Sequence, residues 1–317
     1  MRYLYLLIFL CIRMLAMAQQ EPVFSHYMFN SLSFNPAYAG NKDMLSLQTA
    51  YRIQWLGIEG APRTILLNAD MPIKNNKMAL GIDAYQDRVG DFSVTKFYTS
   101  YAYKIKLNST FRASFGLAGG LENWNLNRNN ISSAGNVDPL LNANNFNKTT
   151  FDFRTGTYIS NDDFYIGISA TSLLENLYNT NGSNAIQRNY YLTAGYLYKL
   201  SPTLVLYPSF LYRDDFSQGG TFNFTQLVGI NSNIWAGLSY RNGTRFLNDA
   251  KLATNNSSSR VMSLLFDLEL NDQFRVGYSY DYSLSILNQF ENGSHEINVA
   301  YYLSSKKSSR MLNPRYL

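Results

Sequence analysis

Between Val261 and Leu270 the chain reads Val-Met-Ser-Leu-Leu-Phe-Asp-Leu-Glu-Leu, and this stretch decides the fold. Met262, Leu264, Phe266, Leu268 and Leu270 alternate with Ser263, Leu265, Asp267 and Glu269. Successive side chains of an extended chain point to opposite faces, so five apolar groups share one face and both acids lie on the other. A helix, with its period of 3.6 residues, scatters the same residues around its axis. The alternation recurs in Phe164, Ile166 and Ile168 against Gly167 and Ser169, and in Phe111, Phe115 and Leu117 against Arg112, Ser114 and Gly116. It recurs again in Phe274, Val276, Tyr278 and Tyr280 against Arg275, Gly277, Ser279 and Asp281. From Met44 onward the chain is therefore all-β, with one apolar face and one small or polar face.

A soluble sandwich or propeller also alternates, so the architecture is read from the connections. About fourteen segments of roughly nine to fifteen residues fit the ~9–11 residues that cross a bilayer at a tilt. The even-numbered connections are short polar turns: Lys74 to Asn76, Asn108-Ser109, Asn161 to Asp163, Ser201-Pro202, Asn231 to Asn233 and Asn271-Asp272. The odd-numbered ones are mostly long and rich in Asn, Ser and Gly, as in Asn123 to Lys148, Ser172 to Arg188, Asn242 to Ser258 and Ser283 to Gly293. Short turns at one end, long loops at the other and an even strand count describe an outer-membrane antiparallel β-barrel, with extracellular loops and both termini in the periplasm. No blade-length repeat supports a propeller.

Composition agrees. Of 317 residues, 46% are hydrophobic and only 15% charged, which excludes disorder. Beyond the N-terminus no apolar run reaches the ~18 residues of a membrane helix. Tyr contributes 25 residues and Phe 20, and Tyr98, Tyr101, Tyr103, Tyr190, Tyr191, Tyr196 and Tyr198 are expected to form interfacial girdles. The net charge of +5 falls further once Arg2 and Arg13 leave with a signal peptide, too little to argue for a nucleic-acid partner.

Four regions follow. Residues 1–18 read as a signal peptide, with Arg2, an apolar run from Tyr3 to Ile12 and an Ala16-Met17-Ala18 cleavage site. Residues 19–43 hold Phe24, Tyr27, Phe29, Phe34 and Tyr38 without a sustained period. Such a segment does not stay free in water, so it is either a plug in the lumen or a periplasmic peg. Residues 44–304 form the barrel, and 305–317 a basic periplasmic tail with Lys306, Lys307, Arg310 and Arg315. The only cysteine, Cys11, lies in the signal peptide, so disulfides, thiol catalysis and thiolate metal sites are excluded from the mature chain.

Catalysis finds little support. Any scheme that needs imidazole must use His26 or His295. His295 precedes Glu296 on a strand, where neighbours diverge, and no acid stands near His26 in sequence. The inward set Ser263, Asp267, Glu269, Arg275, Ser279 and Asp281 is mixed in sign, which suits internal salt bridging as well as a filter. No catalytic group, metal site or cofactor is expected.

The residues also resemble a known family. Gln20-Glu21-Pro22, Phe24 to Asn30 and Asn35-Pro36-Ala37-Tyr38-Ala39-Gly40 are similar to the N-terminal signature of the PorP/SprF membrane proteins of the type IX secretion system. Arg52, Gln54-Trp55, Gly57 and Gly60-Ala61-Pro62 with Thr64 resemble a second block; Gly277 to Leu284 and Gly293-Ser294-His295-Glu296-Ile297 resemble a closing block. His26 departs from the family pattern, where Gln is expected, and receives no role. The resemblance implies a non-enzymatic outer-membrane barrel of the Bacteroidetes that supports secretion or surface display of cargo such as large gliding adhesins. Its implied partners are the periplasmic ring lipoprotein and its companion, or a secreted adhesin with its C-terminal sorting domain. Membrane lipid and lipopolysaccharide surround it.

Barrel closure adds a site. First and last strands pair, which brings the two later blocks together at the seam. The loops carrying Trp55, Gly57, Gly60 and Pro62 on one side and Tyr282, Ser283 and His295 on the other are expected to form one partner-binding surface, with Trp55 as anchor. Alternatively Trp55 and the Gly-Ala-Pro turn only hold closure and membrane level. Phe24, Tyr27, Asn35, Pro36, Tyr38 and Gly40 mark the N-terminal signature. The competing function is a channel or transporter for a small hydrophobic or neutral solute.

Overall fold

The computed structural model describes residues 23–127, 146–178, 187–216, 220–231, 233–244 and 260–303. The signal peptide, the outermost parts of several long loops and the basic tail lie outside the described residues.

Fourteen antiparallel strands among the described residues close into one barrel. They are β1 (Leu45–Ile53), β2 (Arg63–Ile73), β3 (Met78–Val89), β4 (Phe92–Lys106), β5 (Arg112–Leu126), β6 (Phe146–Ser160) and β7 (Phe164–Thr171). Then follow β8 (Asn189–Tyr196, resumed after Leu197 as Tyr198–Lys199), β9 (Leu204–Asp214), β10 (Gly220–Ile230), β11 (Ile234–Thr244), β12 (Val261–Glu269), β13 (Phe274–Ser283) and β14 (Ser294–Leu303). Each strand pairs with its sequence neighbour, and β1 pairs with β14 from Leu45 opposite Leu303 to Ile53 opposite His295. Closure satisfies every edge, which a membrane demands.

Alternation places the apolar side chains outside. On β12, Met262, Leu264 and Phe266 are exposed while Ser263 and Asp267 are buried. Along β4 and the residue after it the outward apolar row runs from Phe97 through Tyr101, Tyr103 and Ile105 to Leu107, about 25 Å of height at a typical strand rise and tilt, which matches an apolar membrane band. Above Phe97 the outer face turns polar: Asn123 Nδ2 donates to Asn147 Oδ1 (2.7 Å) and to Thr149 Oγ1 (2.9 Å).

Three expectations need correction. Tyr98 and Tyr191 are not girdle residues: Tyr98 is fully buried and donates to Glu122 and Asp152 on the two following strands, along the inner wall, and Tyr191 stacks on Phe34 at 5.1 Å. Parity explains both, because they are out of step with exposed Tyr101, Tyr103, Tyr190, Tyr196 and Tyr198. The loop assigned to Asn123–Lys148 is shorter, since β5 runs to Leu126 and β6 begins at Phe146. The segment from Ser283 to Gly293 is partly ordered as a 3-10 turn, Ile286–Gln289, started by Ser285, whose Oγ accepts from Leu287 N.

Candidate functional site

The lumen holds protein. Residues 23–43 run through it as two 3-10 turns, Ser31–Ser33 and Pro36–Tyr38, joined by irregular chain. Phe24, Tyr27, Met28, Phe29, Leu32, Phe34, Ala37 and Tyr38 are all buried against the inner wall. A short chain without a sheet or long helix leaves many backbone polar groups to satisfy, and the wall's inward side chains meet them at three heights.

At the long-loop end the contacts are charged. Ser25 N donates to Glu296 Oε2 (2.8 Å), and Ser25 Oγ donates to Asp281 Oδ1 (2.7 Å). The His26 ring sits between two carboxylates, its Nδ1 2.9 Å from Glu296 and its Nε2 3.3 Å from Asp267. Arg52 of β1 reaches Asp281 of β13 (2.5 Å) and Glu296 of β14 (3.1 Å). Arg241 and Arg275 stand 3.8 Å from Asp281 and 3.7 Å from Asp267. The segment thus lays the His26 ring between two acids at the seam. Removing one partner of such a network strands buried charge.

Midway, contacts are fitted rather than charged. Asn35 Oδ1 accepts from Ala37 N (3.0 Å) and caps the Pro36–Tyr38 turn, while Asn35 Nδ2 donates to Thr157 O (3.1 Å). Pro36 occupies the first position of that turn, where a missing N–H costs nothing. The turn lies against Gly116 and Gly156, which face each other on β5 and β6: a methyl at Gly116 would strike the Ala37 backbone, and one at Gly156 the Asn35 side chain. Tyr38 meets Tyr158 edge-on at 5.5 Å, and Tyr158 stacks on Tyr165. The Asn-Pro-Ala-Tyr stretch is thus a cap, a turn starter, a small residue for a tight groove and an aromatic.

At the short-turn end Gly40 N donates to Asp70 (2.7 Å), Lys104 donates to Gly40 O, and Lys42 Nζ donates to Tyr302 Oη (2.9 Å). Arg112 closes the run on Asp43 (2.7 Å). Gly40 has φ 65°, a conformation suited to glycine, where the chain leaves the lumen to enter β1.

The seam loops meet as well. Leu56 N donates to Gly293 O (2.8 Å), Asn292 N to Leu56 O (2.7 Å) and Trp55 N to Ser294 Oγ (3.1 Å), so the loops prolong the β1–β14 ladder. Trp55 is part-exposed with φ 51°, and Gly57 (φ 100°) packs on Asn292. Gly60 O accepts from Gly90 N (2.8 Å), and buried Pro62 accepts from Gln54 N (2.9 Å). Leu56, Ile286 and Phe290 are exposed on the same loops. Ser283 points inward, its Oγ 2.8 Å from Ser285 Oγ. Tyr282 and His295 instead face outward: Tyr282 accepts from Asn288 (2.7 Å), and His295 packs between Tyr278 and Tyr280 with its Nδ1 2.7 Å from the Tyr278 hydroxyl.

Sequence reasoning missed His26. It has acids beside it in space, Glu296 and Asp267, 270 and 241 positions along the chain, and only barrel closure brings them there. The readable signal was the parity of Arg52 and Glu296, which puts both side chains inside.

A family description, type IX secretion system membrane protein PorP/SprF, matches residues 16–301. The chain belongs to the PorP/SprF family. No curated protein matches it in sequence. Among solved structures this PorP/SprF barrel is similar to the Acinetobacter baumannii outer membrane protein Omp33, at 8% identity and a TM-score of 0.50, covering 82% of this chain and 98% of that one. It is also similar to the CymD monoaromatic hydrocarbon channel, at 13% identity and a TM-score of 0.49 over 89% and 93% of the two chains. At such identity the first likeness speaks for the barrel fold.

Proposed function

We propose that this PorP/SprF barrel is a non-enzymatic outer-membrane component of the type IX machinery that supports secretion or surface display of cargo through protein–protein contacts. Its short turns and C-terminal end face the periplasm. The observation that carries this reading is the occupied lumen: a solute channel needs an open path, and residues 23–43 fill it on polar contacts at both ends. Work left to such a barrel is done at its rims. There the joined loops offer Trp55 with exposed Leu56, Ile286 and Phe290, an apolar group suited to a protein surface. Ser25, His26 and Asp267 make no hydrolytic site in this reading, since all three are fully buried, Ser25 held by hydrogen bonds to Asp281 and Glu296 and the other two by ion contacts.

Affinity capture of the native protein from outer membranes, with co-purifying proteins identified by mass, tests the reading. Periplasmic ring proteins of the type IX apparatus mark it as core machinery, and a single large surface adhesin marks it as a dedicated export helper. Recovery of neither contradicts the proposal and favours the solute channel.

A further inference from the structure

The rim at the short-turn end is notched between β3 and β4. The β3–β4 ladder ends with Met78 opposite Tyr103, whereas the β4–β5 ladder runs on to Lys106 opposite Arg112, so β4 projects past the turn that joins β2 to β3. A cleft of about 560 Å³ opens there, lined by Lys77, Lys104, Lys106 and Arg112 and by no carboxylate. That is the size of a small-ligand site. The cations also oppose one another. Lys106 stands directly across from Arg112, and Lys104 N donates to Lys77 O (2.8 Å), which puts Lys77 across from Lys104. Like charges in opposite positions destabilise a sheet. Arg112 is offset from within by Asp43 (2.7 Å), and Lys104 stands 3.9 Å from the same carboxylate. Lys77 and Lys106 are exposed and form no ion pair among the described residues. Lys106 adds a backbone donor: N–H groups alternate sides along a strand, and Leu107 N donates to Phe111 O (3.0 Å) on the β5 side, so the Lys106 N–H is directed into the notch.

The level of the cleft decides what kind of anion meets it. Tyr103 and Ile105 line it too, and both belong to the outward apolar row that ends at Leu107. The cations thus sit at the edge of the apolar band, where lipid phosphates lie, and a water-soluble acidic protein would have to displace headgroups to reach them. Beside the notch on the outer wall, exposed Leu80 stands opposite exposed Tyr101. We infer that the notch binds the phosphate of an anionic phospholipid, with Lys77, Lys106 and the Lys106 N–H on the headgroup and the acyl chains along Tyr103, Tyr101 and Leu80. Binding does not depend on which way the barrel points; only the assignment of the lipid to the periplasmic leaflet rests on the proposed orientation.

The test gives the purified full-length protein, in a neutral detergent, phosphatidylglycerol or phosphatidylcholine and counts bound lipid by native mass spectrometry. The expected result is retention of phosphatidylglycerol over phosphatidylcholine. The double variant Lys77→Gln/Lys106→Gln alters exposed side chains only and should keep the heat-modifiable migration of a folded barrel while losing about tenfold or more in phosphatidylglycerol affinity, the scale of two basic side chains at an anionic lipid surface. Lys199→Gln, near another short turn, should leave that affinity unchanged. Equal binding of phosphatidylglycerol by the double variant and the parent, or equal binding of the two lipids by the parent, overturns the inference and leaves the orientation standing. Binding of polyglutamate but not of phosphatidylglycerol overturns it in favour of an acidic protein partner. Selection of lipopolysaccharide over phosphatidylglycerol overturns the phospholipid and counts against the orientation as well.

Discussion

The two sides of the lumen hold one segment by different means. The seam side, β11 to β14 with β1, grips Ser25 and His26 with charge; the far side, β5 to β7, receives Asn35 to Tyr38 in a groove cleared by Gly116 and Gly156 and walled by Tyr158 and Tyr165. A charged contact is strong, yet it stays intact only while every partner keeps its charge. A fitted contact ignores pH but tolerates no added volume. The segment is thus fixed in height by one wall and in shape by the other.

Breaking the charged side should cost most. Glu296→Ala removes one acceptor from Ser25, His26 and Arg52 together and leaves the buried Arg52 with Asp281 alone, an expected loss of about 3–5 kcal/mol in a denaturant titration of the refolded barrel. Little change would show that the network contributes nothing.

The fitted side should respond to volume alone. Gly116→Ala pushes a methyl into the Ala37 backbone and should cost about 1–3 kcal/mol at every pH. A pH-dependent loss would show that the two walls are coupled. Outside the lumen the effects shrink. Trp55→Ala should leave a folded barrel with weakened cargo export, measured by surface display; loss of the barrel itself would assign Trp55 to closure. Lys199→Ala, which removes a half-exposed pair with Asp163 (2.9 Å), should change stability by less than about 1 kcal/mol.

The wall of this molecule was legible because its signal is local. Period-two runs such as Val261–Leu270 and turns such as Asn271-Asp272 each lie within a few residues, and the strands fall where those runs do. Parity also held the answer for Tyr98 and Tyr191, and grouping tyrosines by neighbourhood instead of by face is what misplaced them. The lumen was legible only in part. Aromatic content required the N-terminal segment to be covered, but chain order does not say by what. The grip on His26 depends on residues some 270 positions away, and no local pattern encodes that meeting. In sequence Gly116 is an ordinary small residue of the inner face, and only the Pro36–Tyr38 turn lying against it and Gly156 shows why its size matters.

The occupied lumen is most directly tested by single-channel recording of the intact protein in a planar bilayer at neutral pH. A segment held at both ends predicts a closed baseline, with openings only in Glu296→Ala. A steady open pore in the unaltered protein at pH 7 would contradict it.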